Sequence, residues 1–175
     1  GSPIELAWTY SPNAATDRDY RMHSFVNTIH TKLGGVHESA FERALVKSIN
    51  SRLKTTHGLK KTDKPPKIED YQEGMTVVLS IEQSEPPFDS QSKDALSGSE
   101  NQKAIQSSLE EAIGAWADSS KNKSVFDAMA RKVVLASQIR QHAEEQRQLK
   151  RQSNAIANSV MPSKLKECEL AGEDG

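Results

Sequence analysis

A chain of 175 residues with 35% apolar side chains can form one domain with a real core, yet it is lean for a compact globule. A formal net charge of −1 excludes global basic character, so nucleic-acid contact would need a local patch. Cys168, the single cysteine, excludes an internal disulfide framework and fits a reducing, cytoplasmic compartment, while no apolar run approaches the roughly 18 residues of a membrane helix.

The lean composition implies that part of the chain lies in solvent or against a partner. Gly1-Ser2 reads as a cloning scar, and Glu173-Asp174-Gly175 stops without a closing element, so the chain reads as a fragment of a larger protein. Ile4, Leu6, Trp8 and Tyr10 alternate with Glu5, Ala7 and Thr9, the period of a half-buried strand. Ser11-Pro12-Asn13 ends it, and a polar stretch runs to Arg21. A second strand is expected over residues 23–29, and Gly34-Gly35 breaks the chain after it. From Val36 the period changes. Phe41, Ala44, Leu45, Ile49 and Leu53 share one helical face. Glu38 and Glu42 stand near the start of this helix, and Arg52 and Lys54 near its end, the order the helix dipole prefers. A polar loop with Pro65-Pro66 leads to a short turn at residues 68–71 and to Gly74.

Met75, Val77, Leu79 and Ile81 form one face of a third strand. Val78 lies on the other face with Thr76 and Ser80, so this strand is expected to be central. Ser99 then opens a helix, with Gln102 placed for a capping box and with Ile105, Leu109, Ile113 and Trp116 on its apolar face. Residues 118–120 end it. Ser124 and Asp127 make a second capping-box match, and no proline or glycine follows until Met161-Pro162-Ser163. About 35 helical residues would span roughly 50 Å. The first half is amphipathic, with Phe126, Met129, Val133, Ala136 and Ile139 expected inward. Residues 141–154 are nearly all polar, so this helix is expected to start packed on the domain and to project from it. The order β, β, α, β, α, long α, without an internal repeat, gives an α/β class.

The loop Pro86-Pro87-Phe88-Asp89-Ser90-Gln91-Ser92-Lys93 follows the buried strand. A lysine at the tip of a strand-to-helix loop can reach an anionic ligand and withdraw when it changes, although most loop lysines are only solvated. Gly34-Gly35 ahead of His37 has two readings: a phosphate-cradling turn, or, more simply, glycines that permit a sharp turn into the helix. The five histidines show no metal-ligand spacing, and no Ser/His/Asp set or carboxylate pair can be assembled. Arg140, Arg147 and Arg151 recur at near-helical spacing. They can meet DNA phosphates, but Glu144 four residues from Arg140 favours a solvated, ion-paired helix surface. Trp8, Trp116 and Phe126 read as core rather than base-stacking platforms.

Four blocks in fixed order carry a resemblance over nearly the whole chain. They are Ser24-Phe25-Val26-Asn27-Thr28-Ile29 with Gly34-Gly35-Val36-His37 and Phe41; Glu73-Gly74-Met75-Thr76-Val77-Val78-Leu79-Ser80; Gln91-Ser92-Lys93 with Leu96 and Ser99-Glu100; and Met161-Pro162-Ser163-Lys164-Leu165 with Cys168. The chain resembles the transducer domain of the ATPase subunit of bacterial-type type IIA DNA topoisomerases (DNA gyrase B or its topoisomerase IV counterpart). It departs from the family pattern at Leu33, Val36, Ser92, Met161 and Ser163, the first two removing polar groups from the glycine turn.

The resemblance implies an α/β (α+β) transducer fold. Its features are a sheet of about four strands, a left-handed βαβ crossover, helices on one face and a long projecting C-terminal helix. The core would cover residues 3–123, the long helix 124–160, and a linker toward a Toprim domain 161–175. The resemblance also implies that Lys93 reaches the γ-phosphate of ATP and that Gln91 helps position it or the attacking water. ATP and its Mg2+ would be held by a separate GHKL-type ATPase domain, and the fragment alone would be inactive. Implied partners are that domain, the Toprim domain, a second copy of the subunit, the DNA-cleaving partner subunit and double-stranded DNA, at the nucleoid. In that setting the helix arginines would face the duplex. The alternative is a stand-alone α/β interaction module that uses its projecting helix.

Overall fold

The computed structural model describes residues 3–11, 19–57, 59 and 64–159, with the backbone alone at 54–56 and 154–159. Two units divide it, Gly1–Ser137 and Gln138–Gly175. The Met161-Pro162-Ser163 block and Cys168 lie outside the described residues.

In the first unit, β1 (Ile4–Tyr10), β2 (Arg21–Val26), β3 (Ile29–His30) and β4 (Met75–Ile81) form one sheet in the order β1-β4-β2-β3. β4 is central as expected, antiparallel to β1 and parallel to β2. Register sets Leu6 beside Leu79 and Trp8 beside Val77, all on the face that the helices cover. Ala7, Val78 and His23 make a row on the opposite face, where Val78 is 43% exposed. Alternation along each strand thus writes one buried and one open face.

The strand expected over 23–29 is interrupted. Asn27 (φ 49°) and Thr28 (φ 66°) form a two-residue turn between β2 and β3, so Phe25 pairs with His30 and Val26 with Ile29. Positive φ at both central positions is the twist a tight hairpin needs. The absence of glycine there hides the turn from the sequence. Asn27 compensates with its amide, which donates to Gln83 O at 2.6 Å and accepts from Gln83 N at 2.8 Å.

The parallel pair β2 and β4 is joined through α1 (Val36–Thr56) and α2 (Ile68–Gln72). Ala40, Phe41, Ala44, Leu45, Ile49 and Leu53 bury the predicted face of α1. Ile105, Leu109 and Ile113 do the same for α3 (Ser99–Asp118). The two helices are also joined at their polar edges. Lys47 Nζ lies 2.6 Å from a Glu110 carboxylate oxygen. Arg52 donates to Ser48 O, Gly114 O and Asp118.

A short 3-10 turn (Ser120–Asn122) leads into α4 (Lys123–Ser159). Within the first unit α4 buries Phe126, Met129, Ala130 and Val133. Trp8 and Trp116 meet edge to face at 4.8 Å, and Trp116 faces Phe126 at 6.3 Å, as the core reading requires.

Three local expectations fail for definable reasons. The α3 N-cap is Gly98, one residue before Ser99, with no side-chain cap. Ser124 lies inside α4, and Asp127 accepts a hydrogen bond from His57 Nε2 at 2.9 Å instead of capping. Ile139 is 55% exposed. The buried face comprises 126, 129, 130, 133, 136 and 137, and at 100° per residue Ile139 falls about 120° from its centre.

Candidate functional site

The connection from β4 to α3 is a closed loop. Phe88 and Leu96 form an antiparallel bridge, flanked by Asp89 N to Ala95 O (3.1 Å) and Ser97 N to Pro87 O (2.7 Å). Residues 90–94 are therefore its tip. Gln91 and Lys93 are both exposed there. Lys93 has φ 59°, and its N–H donates to Ser90 O at 3.1 Å. A left-handed conformation costs a residue with a Cβ on the order of 1 kcal/mol, and such residues cluster at functional sites. The Ser90 and Ser92 hydroxyls bond each other at 2.7 Å. The Lys93 ammonium stands 5.8 Å from the centroid of the Phe88 ring.

The other side of Leu96 is fastened to the turn before α1. Leu96 N donates to Gly34 O (3.1 Å), Val36 N to Leu96 O (3.0 Å) and Leu33 N to Asp94 O (2.9 Å). Leu96 is 1% exposed. Gly34 has φ 71° and Gly35 φ 143°, a region that side chains with a Cβ rarely enter. The N–H groups of Gly34 and Val36 bond Thr31 O and Leu96 O, so they do not point at a ligand. This geometry supports the structural reading of Gly34-Gly35: what the turn receives is the backbone of the loop.

Beneath the turn runs a buried polar chain. Glu38 accepts from the Ser24 hydroxyl (2.6 Å), Ser24 bonds Thr31 (2.5 Å), and Thr31 bonds His37 Nε2 (3.1 Å). His37 is fully buried and its Nδ1 has no partner among the described residues. Burial pulls its pKa down to about 4, so the imidazole is neutral.

Between this turn and the loop lies a cleft of about 520 Å³ lined by Glu38, Glu42 and Asp89. Burial first, and then the Glu38 charge, hold the Glu42 carboxyl above its ordinary range. Such a lining repels phosphate. An anion served by this loop must meet the tip, where the cation stands.

On α4, Arg140 pairs with Glu144 at 3.1 Å, four residues on. Arg147 and Arg151 are exposed on the same helix, within the second unit. The Arg140 pair is the i,i+4 ion-paired arrangement that the spacing favours, with the Arg140 side chain 19% exposed.

The sequence singles out Lys93 and Gln91 as candidates but not the fastening that holds their loop. The sequence marks its two ends, an apolar Leu96 in a polar stretch and two adjacent glycines before a helix, but not their pairing.

The sequence model of the family described as DNA gyrase B matches residues 2–149. The chain belongs to that family. The DNA gyrase B protein of Eisenibacter elegans is 31% identical over 166 residues, which cover 95% of this chain and 34% of that protein. The Clostridium acetobutylicum protein is 32% identical over 165 residues, covering 94% and 25%. The chain thus spans between a quarter and about a third of these gyrase B relatives. The 43K ATPase domain of Thermus thermophilus gyrase B, solved with an aminocoumarin, has a similar structure, with TM-score 0.69, 23% identity, and coverage of 83% of this chain and 37% of that one. The ATP-binding domain of Francisella tularensis topoisomerase IV gives 0.65 at 17% identity, covering 79% and 36%. The four-stranded mixed sheet with helices packed on it and a long C-terminal helix is the gyrase B transducer fold.

Proposed function

We propose that this chain is the transducer of a gyrase B-type ATPase subunit. It completes an ATP site with Lys93 and Gln91 and passes the state of that site toward the DNA-cleaving machinery. The observation that carries the reading is Lys93 at the exposed tip of a loop whose base is pinned, in a chain of this family.

The chemistry follows from the tip. A cation–π contact at an exposed site is worth about 0.5–1 kcal/mol, so Phe88 holds Lys93 only loosely. A charge-assisted bond to a γ-phosphate oxygen is stronger. It also opposes the charge that develops on the phosphoryl oxygens. Gln91, two residues away, orients the phosphate or the attacking water. When hydrolysis removes the γ-phosphate, the attraction ends and the loop lets go, a ligand-linked change that biases domain position.

The nucleotide and its Mg2+ are held by a GHKL-type ATPase domain of the same subunit, and the metal neutralises phosphate charge there. The further partners are a Toprim domain, a second copy of the subunit, the DNA-cleaving subunit and double-stranded DNA. The chain by itself is expected not to hydrolyse ATP. The stand-alone interaction module has only the exposed apolar residues of α4, such as Leu135, Ile139 and Leu149, in its favour, and the family match outweighs them.

The test is Lys93→Ala in the full-length subunit. ATP turnover should fall about 10³-fold or more, the scale for a cation on a transferring phosphoryl group, while nucleotide still binds. Near-normal turnover would contradict the assignment.

A further inference from the structure

We propose that Gly35 is a positioning residue for Lys93: its missing side chain is the space in which the base of the catalytic loop is seated. The inference rests on the reading of Lys93 given above and extends it to a residue 58 positions earlier in the chain.

The two residues are linked by backbone alone. Gly35 and Leu96 form a parallel bridge, and Leu96 pairs on its other side with Phe88. Leu96 is thus the middle of three short segments, with hydrogen bonds on both edges. A Cβ on Gly35 would lie 2.6 Å from Leu96 N and closer still to Leu96 O. Backbone atoms flanked on both sides cannot step aside as a side-chain end can. Any substitution therefore pushes Leu96, three residues from Lys93 on a closed loop.

Gly34 is the neighbouring comparison. It also has positive φ, and a Cβ there would meet the Glu38 carboxylate, a side-chain end that can turn away only by giving up its bond to Ser24. Gly34 lies in the left-handed region that other residues enter at modest cost, whereas Gly35 (φ 143°, ψ −164°) lies where glycine is essentially required, so coupling to Lys93, not the glycine pair, separates seating of the loop from backbone strain.

Beneath Gly35 the base is stiff. Leu96 is buried in the core, and α1 begins over the Ser24, Thr31, His37 and Glu38 chain. A rigid base keeps the lysine within reach of one point, and misplacing a catalytic group by about 1 Å can cost about 10²-fold in rate.

The experiment is a double-mutant cycle in the full-length subunit, with ATP as substrate and a non-hydrolysable ATP analogue as binding probe. Gly35→Ala should lower kcat about 10²-fold with little change in analogue affinity. Gly34→Ala should give a markedly smaller loss. In the Lys93→Ala background, Gly35→Ala should cost nothing more, because the group it positions is already gone. Equal losses from Gly35→Ala in both backgrounds would mean a general structural defect and would overturn the proposal. So would wild-type kcat in Gly35→Ala while Lys93→Ala is inactive. A harmless Lys93→Ala would instead remove the underlying reading of the loop.

Should Gly35→Ala fail to fold, hydrogen exchange on the unsubstituted subunit decides. The amides of Leu33, Val36 and Leu96 should exchange slowly with and without the analogue. Fast exchange in either state would overturn the proposal.

Discussion

The tip and the base of one loop are built on opposite principles. At the tip, Gln91 and Lys93 are exposed, Lys93 is in a left-handed conformation, and its ammonium rests loosely against Phe88. At the base, Leu96 is buried and hydrogen-bonded on both edges, and the glycine turn admits it by having no side chain to exclude it. The contrast is what the proposed role of Lys93 requires, an exposed cation carried on a fixed base. On the proposed reading, the residues that would meet and release an anion stand exposed at the tip, and the base below them is pinned by backbone hydrogen bonds.

Perturbations should separate the two halves. The largest effect belongs to the tip: Lys93→Ala should remove hydrolysis while leaving the melting curve of the subunit intact, because the side chain packs on nothing buried.

At the base the order reverses. Leu96→Ala should lower unfolding stability by about 2–5 kcal/mol, the range for truncating a buried leucine, as read by urea denaturation. A stability change under about 1 kcal/mol would mean that the base is not part of the core.

The base should also carry an acid sensitivity that the tip lacks. His37 in the folded state is depressed to about 4 from an ordinary value near 6.5. The unfolded chain therefore binds the extra proton between those two values. The stability that neutral His37 contributes is complete above about pH 6.5 and is lost as pH falls toward 4, at up to about 1.4 kcal/mol per pH unit. Urea midpoints should fall over this window, and His37→Gln should flatten the slope. An unchanged slope in the variant would assign the acid response elsewhere.

The smallest effect is expected far from both halves. Charge reversal of Arg140, Arg147 and Arg151 should reduce DNA stimulation of ATP hydrolysis in the intact enzyme while leaving basal hydrolysis alone. Arg140 should contribute least, because it is paired with Glu144. An unchanged response to DNA would remove these residues from the DNA path.

The sheet and the helices were legible because their periods are clean. The alternation of Ile4, Leu6, Trp8 and Tyr10 and the apolar face of α1 each lie where the pattern puts them. What was hidden depends on conformations or partners that no local pattern encodes. The Asn27-Thr28 turn has left-handed residues without glycine, and its stabilising partner, Gln83, is 56 positions away. Asp127 looked like a helix cap until His57 claimed it. At the candidate site, residue types pointed to Lys93 and Gln91 through a family resemblance. Nothing in the spacing could say that Gly35 and Leu96 share a bridge, because that pairing forms only when α1 and the loop meet across the fold.

The most direct measurement is hydrogen exchange on the full-length subunit with and without a non-hydrolysable ATP analogue. The amides of residues 90–93 should become protected when the analogue binds, because the tip gains its phosphate contact, while the amides of Leu33, Val36 and Leu96 should not change. An unprotected tip, or a base whose protection shifts as much as the tip's, would contradict a cationic tip acting from a fixed base.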